Sequence, residues 1–507
     1  MSTTQPPVSQ TRSFSTVFLI EMWERFGYYG MAALLVLYMV QGLGFEDTKA
    51  SLTWGAFAAL VYASPAVGGW IGDKVLGSRR TMTLGAMILA LGYILLSLPG
   101  TGLFFMFTTL GVIVVGNGCF KANAANLVRR IYEGDDSRID SAFTLYYMAV
   151  NIGSTISMLL TPWIKERYGW HAAFAVCWMG LVLGLINYVF MHRTLAHIGS
   201  KPDDEPIQWG KLGAVLGGGV LVLFSVAVVL QHREVAVWLV YIAGVVILGI
   251  FAYLISISTK SERSGLIAVL ILTAQTILFF IFYQQMSTSL TLFALRNVDW
   301  NQTLFGAHLF TWQPAQYQAL NPIWIMLMSP VLAWAYTRMG KGKGDLSIAA
   351  KFAIGFAVLS LGFFTYWSSG FFAVDGKVSS WFLILGYGFQ SLGELLISGL
   401  GLAMVARYVP ARMGGFMMGA YFVATGISQY LGSVVATFAS VPSNVKDPTK
   451  TLSLYTNLFF WLGVVAVAGT VLAVIVLPLM ARLSKAHAER GAEGAGVGAG
   501  APLGAEG

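Results

Sequence analysis

The sequence predicts an all-α polytopic membrane protein, and three observations carry that prediction. Of 507 residues, 56% are hydrophobic and only 11% are charged, whereas a soluble chain carries about 25% charged residues. Mean hydropathy is +0.70. Apolar runs of about 20 residues recur along the chain, the length a helix needs to cross hydrocarbon. The strands of a membrane barrel would alternate apolar and polar residues. Unbroken stretches such as "LGAVLGGGVLVLFSVAVVL" do not.

Fourteen spans follow in order, near 16–42, 50–72, 80–98, 103–127, 140–163, 170–191, 210–230, 234–257, 265–296, 320–339, 350–370, 380–408, 413–437 and 453–481. The first 15 residues are polar and lead straight into a long helix. That pattern suits an uncleaved insertion signal, not a cleavable signal peptide. The second span ends in "SPAVGGWIGDKVLGSRR" and the tenth in "SPVLAWAYTRMGKGK". Each opens on Ser-Pro and closes on a glycine and basic turn, an echo that fits two halves of six helices. The expected units are a cytoplasmic segment 1–15, a first bundle 16–191, a linker with an inserted helix pair 192–264, and a second bundle 265–481. The Gly/Ala-rich tail 482–507 reads as a disordered cytoplasmic segment.

The net charge of +8 could point to nucleic acid. Its distribution argues otherwise, because one alternate set of loops holds most of the 31 Lys and Arg. That bias places both termini in the cytoplasm and turns the positive face toward anionic lipid. Cys119 and Cys177 lie within apolar runs and read as buried thiols, not a disulfide framework. The six histidines form no HExxH pair, and no GxSxG or phosphate-loop lysine motif appears. The expectation is therefore no enzyme, no metal and no cofactor.

The first span carries "EMWERFGYYG", which puts Glu21, Glu24 and Arg25 at mid-membrane. At about 100° per residue they share an arc of roughly 140° with Tyr28 and Tyr29. The opposite side carries Leu19, Trp23 and Phe26. Three unpaired charges at mid-bilayer would cost roughly 8–10 kcal/mol, so pairing or a hydrated cavity is required. Glu21 and Arg25 stand four apart and can pair directly, which leaves Glu24 surplus. Lys121 in "GNGCFKANAANL" and Glu394 in "SLGELLISGLGL" complete a set of five ionisable groups on three spans. With one carboxylate protonated the set is neutral, as a site holding one exchangeable proton requires. Tyr62, Tyr147, Asn151, Gln284, Gln285 and Asn321 add polar groups that could serve as helix–helix contacts or as ligands. Asn321 precedes Pro322, where a helix break is expected.

These residues resemble a family. Glu21, Glu24, Arg25, Phe26, Tyr28, Tyr29 and Gly30 are similar to the ExxERFxYYG signature of proton-dependent oligopeptide transporters, a branch of the major facilitator superfamily. "GGWIGDKVLGSRR" resembles the superfamily's loop between helices two and three. "YYMAVNIGS" resembles the family's FYxxINxGS, with Tyr146 for Phe and Val150 for Ile. "GNGCFKAN" and "GELLISGLGL" resemble its helix-four lysine and helix-ten glutamate motifs. The resemblance spans about 15–480 and is nearest to bacterial di-/tripeptide permeases.

It implies a major facilitator fold, two six-helix bundles plus an inserted pair, fourteen transmembrane helices in all. It implies a monomer in a bacterial inner membrane that imports dipeptides and tripeptides with protons, by alternating access. Glu21, Glu24, Arg25 and Lys121 would couple protons. Arg25 and Lys121 would face the peptide carboxylate, and Glu394 with Asn321 the amino group. Tyr29, Tyr62, Tyr147 and Asn151 would line the site. Many members carry an Arg where this chain has Ala32, and an acid and a Trp where it has Gln284 and Phe280. The ion pair those residues form across the halves is therefore not expected here. Ala122 replaces a common Pro, so less bending is expected in that helix. The competing reading is a related carrier for nitrate, a drug or a modified amino acid.

Overall fold

The computed structural model describes residues 9–99, 102–343, 346–398, 404–405, 408–442, 445 and 447–498. Eleven of the described helical stretches are long and apolar enough to cross a membrane, and one of them, Ser141–Leu195, has 55 residues. That length suffices for two crossings, since about 20 residues make one.

The first half comprises α1 (Gln10–Leu37), α2 (Asp47–Ala63), α3 (Pro65–Lys74), α4 (Ser78–Leu96), α5 (Leu103–Ile131) and α6 (Asp136–Met191). α1 starts at Ser9, whose side chain accepts the Arg12 N–H. This satisfies one of the orphan donors at a helix start. α2 and α3 form one span interrupted at Ser64, where Pro65 opens the second segment. α6 holds the fifth and sixth spans, which meet at Gly169 with φ 84°. Glycine carries that left-handed conformation without steric cost. α3 crosses α5 with Gly68 against the Gly118 carbonyl, an approach that any Cβ would block.

The inserted pair is α7 (Trp209–Gln231) and α8 (Arg233–Ile257). α7 packs on α5, and α8 on the second half. The linker before the pair is clasped to the start of α4. Arg79 donates to the Leu195 and Ala196 carbonyls, and Arg80 to those of Pro202 and Glu205. Buried Asp203 accepts the backbone N–H groups of Arg79, Arg80 and Ser200.

The second half comprises α9 (Lys260–Tyr283), α10 (Ser289–Asn297), α11 (Leu320–Lys343), α12 (Ile348–Ser368), α13 (Ser380–Ile397), α14 (Ala411–Ala436) and α15 (Pro448–Gly498). α9 and α10 form one span. The halves meet where α2 packs on α14 and where α6 packs on α11. In the α10–α11 connection, β2 (Asn301–Leu304) and β3 (Ala307–Thr311) form a hairpin, while β1 (Val298–Asp299) pairs with β4 (Val378–Ser379). Phe305 and Gly306 both take positive φ at the hairpin turn, which suits tight reversals. The apolar-run reading of the sequence does not anticipate this hairpin.

Two expectations are corrected. The tail does not become disordered at 482, because α15 continues to Gly498. Lys485, Ala486, Ala488, Glu489 and Arg490 are good helix formers, and they outweigh the glycines that follow. Residues 499–507 of that tail, 1–8 of the amino-terminal segment and part of the span near 380–408 lie outside the described residues. Pro322 does not break a helix either. α11 begins at Leu320, so Pro322 stands in its first turn, where the missing N–H has no partner to lose. A 3₁₀ turn, Pro314–Ala319, leads into it.

Candidate functional site

The face of α1 that carries Glu21, Glu24 and Arg25 turns inward, and all three side chains are buried. Arg25 Nε stands 3.3 Å from Glu21 Oε1 and 2.5 Å from Glu24 Oε2. Glu24 is therefore not surplus. It takes the shorter contact, and Glu21 shares the same nitrogen. Glu24 Oε1 has no partner among the described residues. The guanidinium continues to Asn117 Oδ1 at 3.3 Å and sits over the Tyr28 ring at 5.2 Å. Asn117 in turn donates to the Val61 carbonyl of α2.

The other side of α1 packs as its apolar character suggests. Phe26 lies against Gly180 and Trp23 against Gly184, both in the second span of α6.

Lys121 lies on α5, one turn beyond Asn117, with its Nζ 4.9 Å from the Tyr62 ring centroid. It is within electrostatic reach of Arg25, Glu21 and Glu24. Tyr146 of α6 donates to Glu21 Oε2 at 2.6 Å. The adjacent Tyr147 reaches the other half and donates to Glu394 Oε1 at 3.3 Å. Glu394 is buried on α13, where Asn321 Nδ2 donates to its Oε2 at 2.7 Å. Ser391, one turn before Glu394, exchanges hydrogen bonds with Asn321 and fixes the amide. Tyr29 feels Arg25 and Glu394 together, and Tyr62 also feels Glu394. The five ionisable groups are thus connected through Tyr146, Tyr147, Tyr29 and Tyr62.

Asn151 differs from the rest. It is buried and donates to the Tyr147 carbonyl, so it braces that turn of α6. Gln284 and Gln285 serve packing. The first donates to Ser433 and the second to the Gly432 carbonyl, both on α14. Tyr146, Asn117 and Ser391 are contacts that the sequence reading missed. Tyr146 stood there only as a departure from a Phe. Its extra hydroxyl, beside a buried carboxylate, was the available signal.

Beyond the chamber, toward the α1–α2 connection, the halves are latched. Arg296 of α10 forms a bidentate pair with Asp47 of α2, at 2.6 and 2.7 Å. Arg296 also donates to the Tyr455 hydroxyl at 2.6 Å, and Asp47 accepts the Val441 N–H at 3.0 Å. Gln318 donates to the Ala33 carbonyl and Gln316 to the Leu159 carbonyl, joining the halves further. Ala32 and Gln284 carry no charge and supply no ion pair of their own.

Two helical bundles around a buried cluster of charges, with a latch on one side, define a secondary carrier that alternates access to a central site. Comparison with known proteins makes this specific. The model of the POT family matches residues 79–457. Dipeptide and tripeptide permease A of Pectobacterium carotovorum is 42% identical over 478 residues, covering 94% of this chain and 93% of that protein. Dipeptide and tripeptide permease B of Salmonella typhimurium is 41% identical over 486 residues, 95% of this chain and 98% of that one. The crystal structure of tetrameric PepTSo2 is similar with TM-score 0.86 and 60% identity, covering 94% of this chain and 99% of that chain. A structure of a peptide transporter POT in complex with sulfate aligns with TM-score 0.80 at 29% identity, over 93% and 95% of the two chains. The chain belongs to the POT family. It is a multi-pass membrane transporter, not an enzyme.

Proposed function

We propose that this chain is a symporter that imports dipeptides and tripeptides with protons across a bacterial inner membrane, with both termini in the cytoplasm. Its permease relatives support the substrate class, and the bias of Lys and Arg among the loops supports the orientation. The observation that carries the reading is the division of charge across the chamber. The first half offers Arg25 and Lys121 beside Glu21 and Glu24, and the second offers Glu394 held by Asn321. A zwitterionic peptide presents one anion and one cation at its ends. Its carboxylate pairs with Arg25 and Lys121, and its ammonium with Glu394. Tyr29, Tyr62 and Tyr147 line the path between them, and Asn151 supports Tyr147 from behind. Protonation of Glu21 or Glu24 loosens their hold on Arg25 and frees it for the peptide. A carrier of a simple anion such as nitrate gains nothing from Glu394. Every charged group of the site comes from one chain, so we infer that the monomer is the transport unit, whatever assembly it joins; PepTSo2 is described as tetrameric.

The test is uptake of labelled dialanine into proteoliposomes under an inward proton gradient. Accumulation should collapse with a protonophore and in Glu21→Gln, Glu24→Gln and Lys121→Ala. Full accumulation in all three variants would overturn the coupling roles. Failure of dipeptides to compete, where nitrate or a drug does, would overturn the substrate class.

A further inference from the structure

We infer that a phospholipid with an anionic headgroup occupies the crevice between α7 and the first half of the protein. α7 meets α5 backbone to backbone at Gly111, where any Cβ would strike the Leu223 carbonyl. Nearer its start the Cβ direction of Gly218 meets open space, with nothing within 4 Å. There a cavity of about 800 Å³ opens, walled by Trp70 and Val67 of α3, Leu91 of α4 and Leu216 of α7. Trp70 and Val67 are 61% and 62% exposed, large apolar surfaces that the described residues leave open.

Lys211 lines this cavity, and among the described residues it has no ion-pair partner. Through Val75 and Leu84, which line both spaces, the crevice continues into a second cavity of about 450 Å³ that holds Arg79 and Arg80. Glu205 and Asp203 also border this second space. Asp203 takes three backbone N–H groups and stands 3.8 Å from Arg79 Nε, so it offsets one cation of the mouth. Arg79, Arg80 and Lys211 bring three positive charges against the two negative charges of Asp203 and Glu205, so the mouth keeps a net positive charge.

Apolar walls joined to a cationic mouth match an acyl chain joined to a negative headgroup. Basic pockets between spans are a recognised form of headgroup site. A soluble phosphate would leave the apolar walls uncovered. A helix about 10 Å across would fit only about two turns into 800 Å³, so a partner segment is the poorer occupant.

The experiment is native mass spectrometry on delipidated protein, titrated with phosphatidylglycerol and phosphatidylcholine of identical chains. Each cation near a headgroup is worth about a fivefold preference, so wild type should retain phosphatidylglycerol at least about fivefold better. Lys211→Glu should bring the two lipids near parity. Gly218→Leu, which fills the crevice, should lower retention of both. Monodisperse elution checks folding, and Lys211→Gln provides a milder variant should Lys211→Glu fail that check. Glycerol phosphate should not displace the lipid. Equal retention of the two lipids by wild type, or unchanged phosphatidylglycerol retention in the folded variants, overturns the proposal.

Discussion

Removing one charge from the Asp47–Arg296 latch tests whether it holds the α1–α2 side shut. Asp47 is 2% exposed and bonds to Arg296 at 2.6 and 2.7 Å, with the Val441 N–H at 3.0 Å on the same carboxylate. Asp47→Asn keeps the shape but replaces one oxygen with a donor that faces a guanidinium donor. One charge-assisted bond is lost and the other is weakened, at about 1.5–3 kcal/mol for each charged bond. The Arg296 side chain is 20% exposed, so water recovers part of this. A net loss of about 3 kcal/mol is a reasonable centre. The pair joins α2 to α10 and cannot survive their separation, so the loss falls on the closed state alone. That moves the open-to-closed ratio by about a hundredfold. Ala33→Cys is a suitable reporter: Ala33 is 1% exposed at this seam, and Cys119 and Cys177 are buried and give little background. Maleimide labelling of the reporter should quicken at least about tenfold in Asp47→Asn. A rate within about twofold of the parent, at unchanged Tm, would show that the latch does not set the equilibrium.

Three further outcomes follow from the site and its packing. Glu394→Gln should raise the KM for dipeptides about ten- to a hundredfold, the worth of one charged contact. Amino-terminally acetylated peptides should show no such loss in competition assays, and an equal loss for both would remove Glu394 from the amino group. Tyr146→Phe deletes the 2.6 Å bond to Glu21, so it should lower thermal stability by about 1–3 kcal/mol. It should also shift the pH profile of uptake, and a superimposable profile would make the hydroxyl merely structural. Gly68→Val should abolish monodisperse protein, because α3 and α5 touch there through backbone, whereas Gly213→Val, with open space before it, should still elute as a folded species.

The sequence carries the architecture because bilayer hydrocarbon admits so few solutions. A charge at mid-span must be answered by another, so Glu21, Arg25, Lys121 and Glu394 stand out in the sequence as groups that need partners. What the sequence hid is relational. The pairing of Arg25 with adjacent Glu24 depends on side-chain rotamers, not on helical spacing. Asp47 and Arg296 are 249 positions apart in the chain, and each alone reads as a loop charge at a span end. Pro322 misled because a helix start and a helix break share the same residue, and the preceding 3₁₀ turn decides between them. The hairpin after α10 falls in the gap between two predicted spans, and Leu304, Phe305, Leu309 and Phe310 give no alternation that would mark strands.

The distribution of charge also constrains how proton and peptide must interact. In the first half two carboxylates face two cations, so this half is balanced while both carboxylates are ionised. A proton on either carboxylate leaves that half with excess positive charge. In the proposed binding mode, a peptide carboxylate beside Arg25 and Lys121 would remove the excess. Each ligand would then favour the other's binding, and by linkage the coupling would be equal in both directions. Peptide binding in buffer must then draw a proton into the protein. Calorimetric titration of dialanine in buffers of different ionisation enthalpy measures that proton directly. The apparent enthalpy should vary linearly with buffer enthalpy, with a slope that signals uptake. The slope should vanish in the Glu21→Gln, Glu24→Gln double variant. A flat line for the parent protein would mean that peptide and proton ignore one another in the chamber, and coupling would then have to reside in the movement of the two halves instead.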